Sequence, residues 1–180
     1  MTISLQTDRL SLRPIAPEDA AAHIAMMQSP AVAAFLSPTG EPEHPMVLWR
    51  QFATLLGHWQ IRGFGFFSVI ERSTGEWIGR VGPWQPEGWP ALEIGWAIVP
   101  EKWGQGFAPE AAIATARWIF NAQPQLPAII SLIDPQNENS GRVAAKIGEA
   151  RTGRHFDYVG HALEIWEMRR ADLESRYGEG

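Results

Sequence analysis

Between Ala91 and Ile133 the chain reads as strand, glycine-bearing loop, helix and strand. Ala91 to Val99 reads as a strand, and Ala128 to Ile133 is an apolar, β-branched run typical of a buried strand. Pro100 to Phe107 is a loop. Ala108 to Asn121 has Pro109 near its first position and Glu110 in its first turn, both marks of a helix start. Two strands joined through a helix pair in parallel, by a right-handed crossover. Upstream, Phe66 to Glu71, Trp77 to Trp84 and Ala91 to Val99 are linked by Ser73-Thr74-Gly75 and by a loop with Pro86, Gly88 and Pro90. Such short links make an antiparallel meander. A parallel unit that continues a meander produces a mixed sheet, and few architectures accommodate that.

The other segments fit around this unit. In Thr7 to Pro14, Leu10 and Leu12 point one way and Arg9, Ser11 and Arg13 the other, as in a strand. Pro17-Glu18-Asp19 opens a helix that turns Ile24 and Met27 inward and is interrupted at Pro30; Pro38-Thr39-Gly40 is a loop. A second helix spans about Pro45 to Ile61, with Leu48, Trp49, Phe52, Leu55, Leu56 and Trp59 on one stripe and Gly63 and Gly65 at its end. Asn139 to Ile147 is a short helix stopped by Gly148, and Ala150 to Tyr158 and Ala162 to Arg169 are the last strands. Glu174 to Gly180 is expected to fray. The fold class is α/β (α+β): a mixed, mostly antiparallel central sheet of about seven strands flanked by about four helices. All 180 residues are expected to form one domain.

Composition narrows the chemistry. The chain has no cysteine, which excludes a disulfide, a thiolate-bound metal and a cysteine nucleophile. A net charge of −5 argues against general nucleic-acid binding, which needs a basic face. No apolar run reaches the roughly 18 residues of a membrane span, and no signal peptide opens the chain, so a cytoplasmic location is expected. His155, Asp157 and His161 are the nearest approach to a metal set, but no His-Glu-x-x-His pattern occurs and a hairpin explains their spacing; no metal is expected.

The segment Val99 to Glu110 carries the most chemistry. A strand that enters a Gly-rich loop and then a helix exposes unpaired N–H groups at the positive end of the helix dipole, a ready site for phosphate or pyrophosphate. Gly104 and Gly106 let a ligand approach the backbone. No Gly-Lys-Ser/Thr closes the loop, which excludes a P-loop, and Pro109 replaces the third glycine of a dinucleotide fingerprint. Trp103-Gly104-Gln105-Gly106-Phe107-Ala108 resembles the pyrophosphate loop of the GNAT superfamily of N-acetyltransferases, with Trp103 at its Arg/Gln position. With Glu110, the Trp-Gly-x-Gly-aromatic-Ala form resembles the ribosomal-protein (Rim-type) branch. Asp134-Pro135-Gln136-Asn137-Glu138-Asn139-Ser140 resembles that branch's Pro-x-Asn-x-x-Ser element, and Lys146-Ile147-Gly148 its Lys-x-Gly. Thr7-Asp8-Arg9-Leu10 and Leu92-Glu93-Ile94-Gly95-Trp96 are similar to its first and fourth strands. The resemblance covers about Thr7 to Arg170. Two positions depart from it: Ala144 stands where many members place a general-acid Tyr, and Glu149 replaces the usual Phe.

The resemblance implies a GNAT-like acyl-CoA N-acyltransferase fold and the transfer of an acetyl group from acetyl-CoA to a primary amine, a small molecule or a protein N-terminus, by direct attack in a ternary complex. It implies Glu93 as base and Ser140 as proton donor to the departing thiolate. As residue types, Glu93 reads equally as a surface carboxylate, and Ser140 as a helix cap. The cofactor-binding candidates are Ile98, Val99, Trp103, Gly104, Gln105, Gly106, Phe107, Ala108, Asn137 and Lys146, with Lys102 and Arg142 as further possible phosphate partners. Ile98 and Val99 would act through their backbone. Trp84, Asp157 and Tyr158 are acceptor-side candidates. No nucleic-acid or membrane partner is expected, and the chain is expected to be a monomer or homodimer. A non-catalytic acyl-CoA-binding or sensing module on the same fold is the alternative.

Overall fold

A computed structural model describes residues 3–178. Its strands are Leu5–Gln6 (β1), Leu10–Pro14 (β2), Phe67–Glu71 (β3), Trp77–Trp84 (β4), Glu93–Ile98 (β5), Ala128–Ile133 (β6), Ala150–Tyr158 (β7) and His161–Arg169 (β8). They form one sheet in the order β1-β2-β3-β4-β5-β6-β8-β7. Only β5 and β6 pair in parallel. The helices are Ala20–Met27 (α1), Pro30–Leu36 (α2), Pro45–Arg62 (α3), Phe107–Ala122 (α4), Glu138–Ile147 (α5) and Arg170–Tyr177 (α6).

The expected mixed, mostly antiparallel sheet is present, with eight strands for about seven and six helices for about four. The extra strand is the two-residue β1, which pairs with β2. Pro30 accounts for one extra helix. Ser29 is extended (ψ 124°) and Pro30 occupies the first turn of α2, so the proline that stops α1 starts the next helix. The other is α6. Leu173 is buried in the main core and the Tyr177 hydroxyl donates to the Lys146 carbonyl at 2.8 Å. Glu174 to Tyr177 therefore form a docked last turn in place of the expected frayed tail; Glu179 and Gly180 lie outside the described residues.

The expected stripe of α3 is also corrected. Trp49 is 58% exposed, and His58 takes an inward position. The His58 ring stacks on Trp84 at 4.3 Å, and its Nε2 accepts from the Gln85 N–H at 3.1 Å. A histidine can sit there because both ring nitrogens find backbone partners, Nδ1 meeting the Phe64 carbonyl.

The main core lies between the sheet and α4. Ala111, Ala112 and Ala116 are fully buried, and these small residues let the helix settle close to the strands. Across the sheet, α1–α3 cover a second apolar cluster in which Ala97 meets Met26, Met27, Val32 and Leu48. β5 and β6 are in register at Glu93↔Ile130 alone and diverge toward Val99. Beyond the pairing, the Ser131 hydroxyl spans the fork, 2.8 Å from the Ile94 carbonyl and 2.9 Å from Glu149 Oε1.

Candidate active site

The glycine loop lies at the open end of this fork. Gly104 and Gly106 have φ of 74° and 81°, a left-handed conformation that a side chain disfavours. Gly106 caps α4, and the helix start leaves the N–H groups of Phe107 and Ala108 without intrahelical partners, while Pro109 has none to offer. The loop is held from behind. Arg9 donates to the Gln105 carbonyl at 2.8 Å, lies over the Phe107 ring at 4.5 Å and pairs with Glu110 at 2.6 Å. Thr7 Oγ1 also donates to Glu110. Glu110 is thus occupied with the first strands, and the loop donors face away from it.

A cleft of ≈ 280 Å³ extends from this loop, lined by Gly104, Gly106, Phe107 and Ala108, by Trp96, Ala97 and Ile98 of β5, by Asn137, Ser140 and Lys146 around α5, and by Val32 and Phe35 of α2. In the β4–β5 ladder Val99 N–H donates to Ile78, so hydrogen-bonded pairs recur at Ala97, Gly95 and Glu93. The backbone groups of Trp96 and Ile98 consequently turn toward the fork. Val99 has its N–H on Ile78 and its carbonyl on the Lys102 N–H. Trp103 donates its indole N–H to the Ile98 carbonyl at 2.6 Å, closing the strand end and leaving the Ile98 N–H toward the cleft.

Asn137, not Ser140, caps α5: its Oδ1 accepts from the Ser140 N–H at 3.0 Å. The Ser140 hydroxyl accepts from Trp96 Nε1 at 3.2 Å, which frees its proton for another acceptor. Among the cations, Lys102 is bound to Glu71 at 2.6 Å and Arg142 to Glu138 at 2.9 Å; Lys146 also lines the cleft. The described residues include no group of three His, Cys, Asp or Glu side chains arranged to hold a metal ion, and no helix long and apolar enough to cross a membrane.

Glu93 sits where β5 and β6 part. Its Oε2 accepts from Trp89 Nε1 at 2.7 Å, and the Leu132 N–H faces the carboxylate. Burial pushes its pKa up to about 7, against the pull of these donors and of the Arg80 charge. A carboxyl so placed is half ionised near neutrality, where a general base works best. Trp89 carries the surrounding aromatics: Phe156 at 5.6 Å and Tyr158 at 5.3 Å. Tyr158 therefore reaches the Glu93 neighbourhood. Asp157 turns to its own hairpin, accepting from the Gly160 N–H. Trp84 lies directly across from Glu93 and stacks on His58 and Phe66.

Among the described side chains, buried atoms without a hydrogen-bond partner include His23 Nδ1, Arg80 Nε and Glu149 Oε2. Glu149 is 4% exposed and its pKa lies well above the carboxylate range, first through burial and then through the Glu93 charge, with the Ser131 hydrogen bond opposing. As a neutral acid it can donate to the Ser131 hydroxyl, which then donates to Ile94. Burial holds His23 neutral, with a pKa near 3. A Glu at the usual Phe position is the visible sign of Glu149; Arg80 and His23 have no comparable mark in the sequence.

The acetyltransferase (GNAT) domain family matches residues 9–149. An N-acetyltransferase from Bacillus subtilis, YoaA, is 32% identical over 164 residues, covering 86% of this chain and 87% of its own length. An acetyltransferase of known structure from Agrobacterium tumefaciens is 31% identical, with a TM-score of 0.81 over 93% of this chain and 95% of its own. The Mycobacterium smegmatis RimJ structure, solved with CoA-disulfide, shares the fold: TM-score 0.72, 17% identity, 99% and 94% coverage.

Proposed function

The chain belongs to the GNAT acetyltransferase family, and from that premise we propose that it moves an acetyl group from acetyl-CoA to a primary amine by direct attack within a ternary complex. The observation that carries this reading is the run of β5 from Glu93, with its raised pKa, to the glycine loop and its free donors.

The loop residues fit the co-substrate. Phe107 and Ala108 offer N–H groups to a pyrophosphate, and the fork leaves an edge of β5 for a pantetheine arm. Acetyl-CoA supplies, when bound, an acyl group already activated as a thioester. The protein's residues do the rest. Glu93 takes the proton that the amine must lose. The N–H groups of Trp96 and Ile98 are fixed donors for charge that develops on the acyl oxygen. The Ser140 hydroxyl, already accepting from Trp96, has its proton to give to the departing sulfur.

The test is release of free thiol from acetyl-CoA in the presence of a panel of amines and peptides, with the product identified by mass. Amine-dependent release with N-acetylated product supports the reading. Acylation of hydroxyl groups alone would replace it with oxygen transfer.

A further inference from the structure

Glu93 has a neighbour of opposite charge that the protein leaves without a partner. Arg80 lies on β4 directly across from Ala97, one of the residues lining the cleft. Residues paired across a ladder share a face, as do alternate residues of a strand. Arg80, Trp84, Glu93, Gly95 and Ala97 therefore project from the same side of the sheet. Phe66 forms a floor between the two charges. The Arg80 guanidinium lies over its ring at 4.1 Å. Glu93 leans across Gly95 from the other side: a Cβ on Gly95 would stand 3.7 Å from Glu93 Oε1 and 3.1 Å from the Phe66 ring. With no side chain on Gly95, the Phe66 ring and the Glu93 carboxylate close in over that position.

Arg80 is only partly exposed, and its Nε is buried with no hydrogen-bond partner. Among the described residues no carboxylate lies within ion-pair distance of it; Glu93 acts on it only through longer-range attraction. Burial lowers its pKa to about 10, which still leaves it charged at neutral pH. A buried guanidinium N–H left without an acceptor is costly, and an arriving anion removes that cost. A carboxylate matches it best, through two parallel hydrogen bonds.

We propose that Arg80 is the anion site of the acceptor: the amine that Glu93 deprotonates belongs to a small molecule that also bears a carboxylate, which docks on the Arg80 guanidinium above Phe66. Glu93 and the Ala97 position, which Arg80 faces, are four residues apart, about 13 Å along the strand. On this assignment a zwitterion of amino-acid size sets its ammonium at Glu93 and its carboxylate at Arg80. Arg80 repels a polyamine, and an ordinary protein N-terminus brings no carboxylate to it. This assignment rests on the proposed transfer to an amine.

The experiment measures kcat/KM by thiol release for free amino acids, their C-terminal amides, the matching decarboxylated amines and short peptides, using the full chain, Arg80→Gln and Arg80→Lys. The full chain is expected to prefer the carboxylate form on the order of tenfold or more. Arg80→Gln should collapse that preference mainly through KM, and Arg80→Lys should keep part of it. Thermal shift with acetyl-CoA checks that each variant is folded. Equal use of acids and amides by the full chain, a preference that survives Arg80→Gln, or turnover confined to peptide N-termini would overturn the assignment while leaving amine acetylation intact. Acetyl-CoA binding without turnover of any amine would defeat amine acetylation itself, and this site with it.

Discussion

At the scale of single residues, two carboxyls, half-buried Glu93 and buried Glu149, carry raised pKa values. Burial holds the Glu93 pKa near 7. As a base it acts only when ionised, so kcat/KM for an amine whose own ionisation has been factored out should rise through about pH 7 and then level off. Glu93→Gln should lower the rate about 10²–10⁴-fold and remove the inflection. An unchanged pH–rate profile would take Glu93 out of the reaction. Glu149 is the deeper of the two. Its folded pKa is raised, so its contribution to stability is complete below its ordinary value of 4.5 and is lost as pH climbs toward the folded value. Glu149→Gln keeps the contact to Ser131 without that titration. Its melting temperature should exceed the unmodified chain's by more at pH 8 than at pH 5; a constant difference would contradict a neutral, buried Glu149. Motifs in the sequence mark Glu93, Ser140 and the loop residues as candidates, and the fold sets them along β5 and its two ends. Arg80 carries no such mark, since only pairing across β4 and β5 shows which face it shares and that no carboxylate answers it.

At the scale of elements, the loop and its brace belong together. Thr7-Asp8-Arg9 and Glu110 are two separate marks in the sequence, a hundred residues apart. In the fold they are one clamp, in which Glu110 accepts from Thr7, from the Arg9 N–H and from its guanidinium. Gly106→Ala tests the cradle. A Cβ there would touch Arg9 Nη2 at 3.5 Å, an ordinary contact, so the cost is the left-handed backbone, about 1–2 kcal/mol. Calorimetry should show acetyl-CoA affinity reduced on the order of tenfold if that strain falls on the loop's bound geometry. Unchanged affinity would mean that the loop does not hold the pyrophosphate. Element spans were readable where pattern and punctuation agree, as for Trp77–Trp84, Ala128–Ile133 and Ala150–Tyr158. They were misread where one residue has two uses. Pro30 ends one helix and begins another, and the polar last turn of α6 is anchored by Leu173 and Tyr177.

At the scale of the whole molecule, the order meander, crossover, hairpin was visible in the sequence, and it dictates a mixed sheet. The fork was not. It depends on β5 and β6 meeting at one register position and on Ser131 and Glu149 bridging beyond it, which no local pattern encodes. On the proposed reading, that opening connects one strand to the glycine loop at one end and to Glu93 at the other. The most direct measurement is thiol release from acetyl-CoA across the amine panel, on the full chain and on Glu93→Gln. Amine-dependent release and an N-acetylated product, both strongly reduced in Glu93→Gln, are the predicted result. Tight acetyl-CoA binding with no release in the presence of any amine would contradict it.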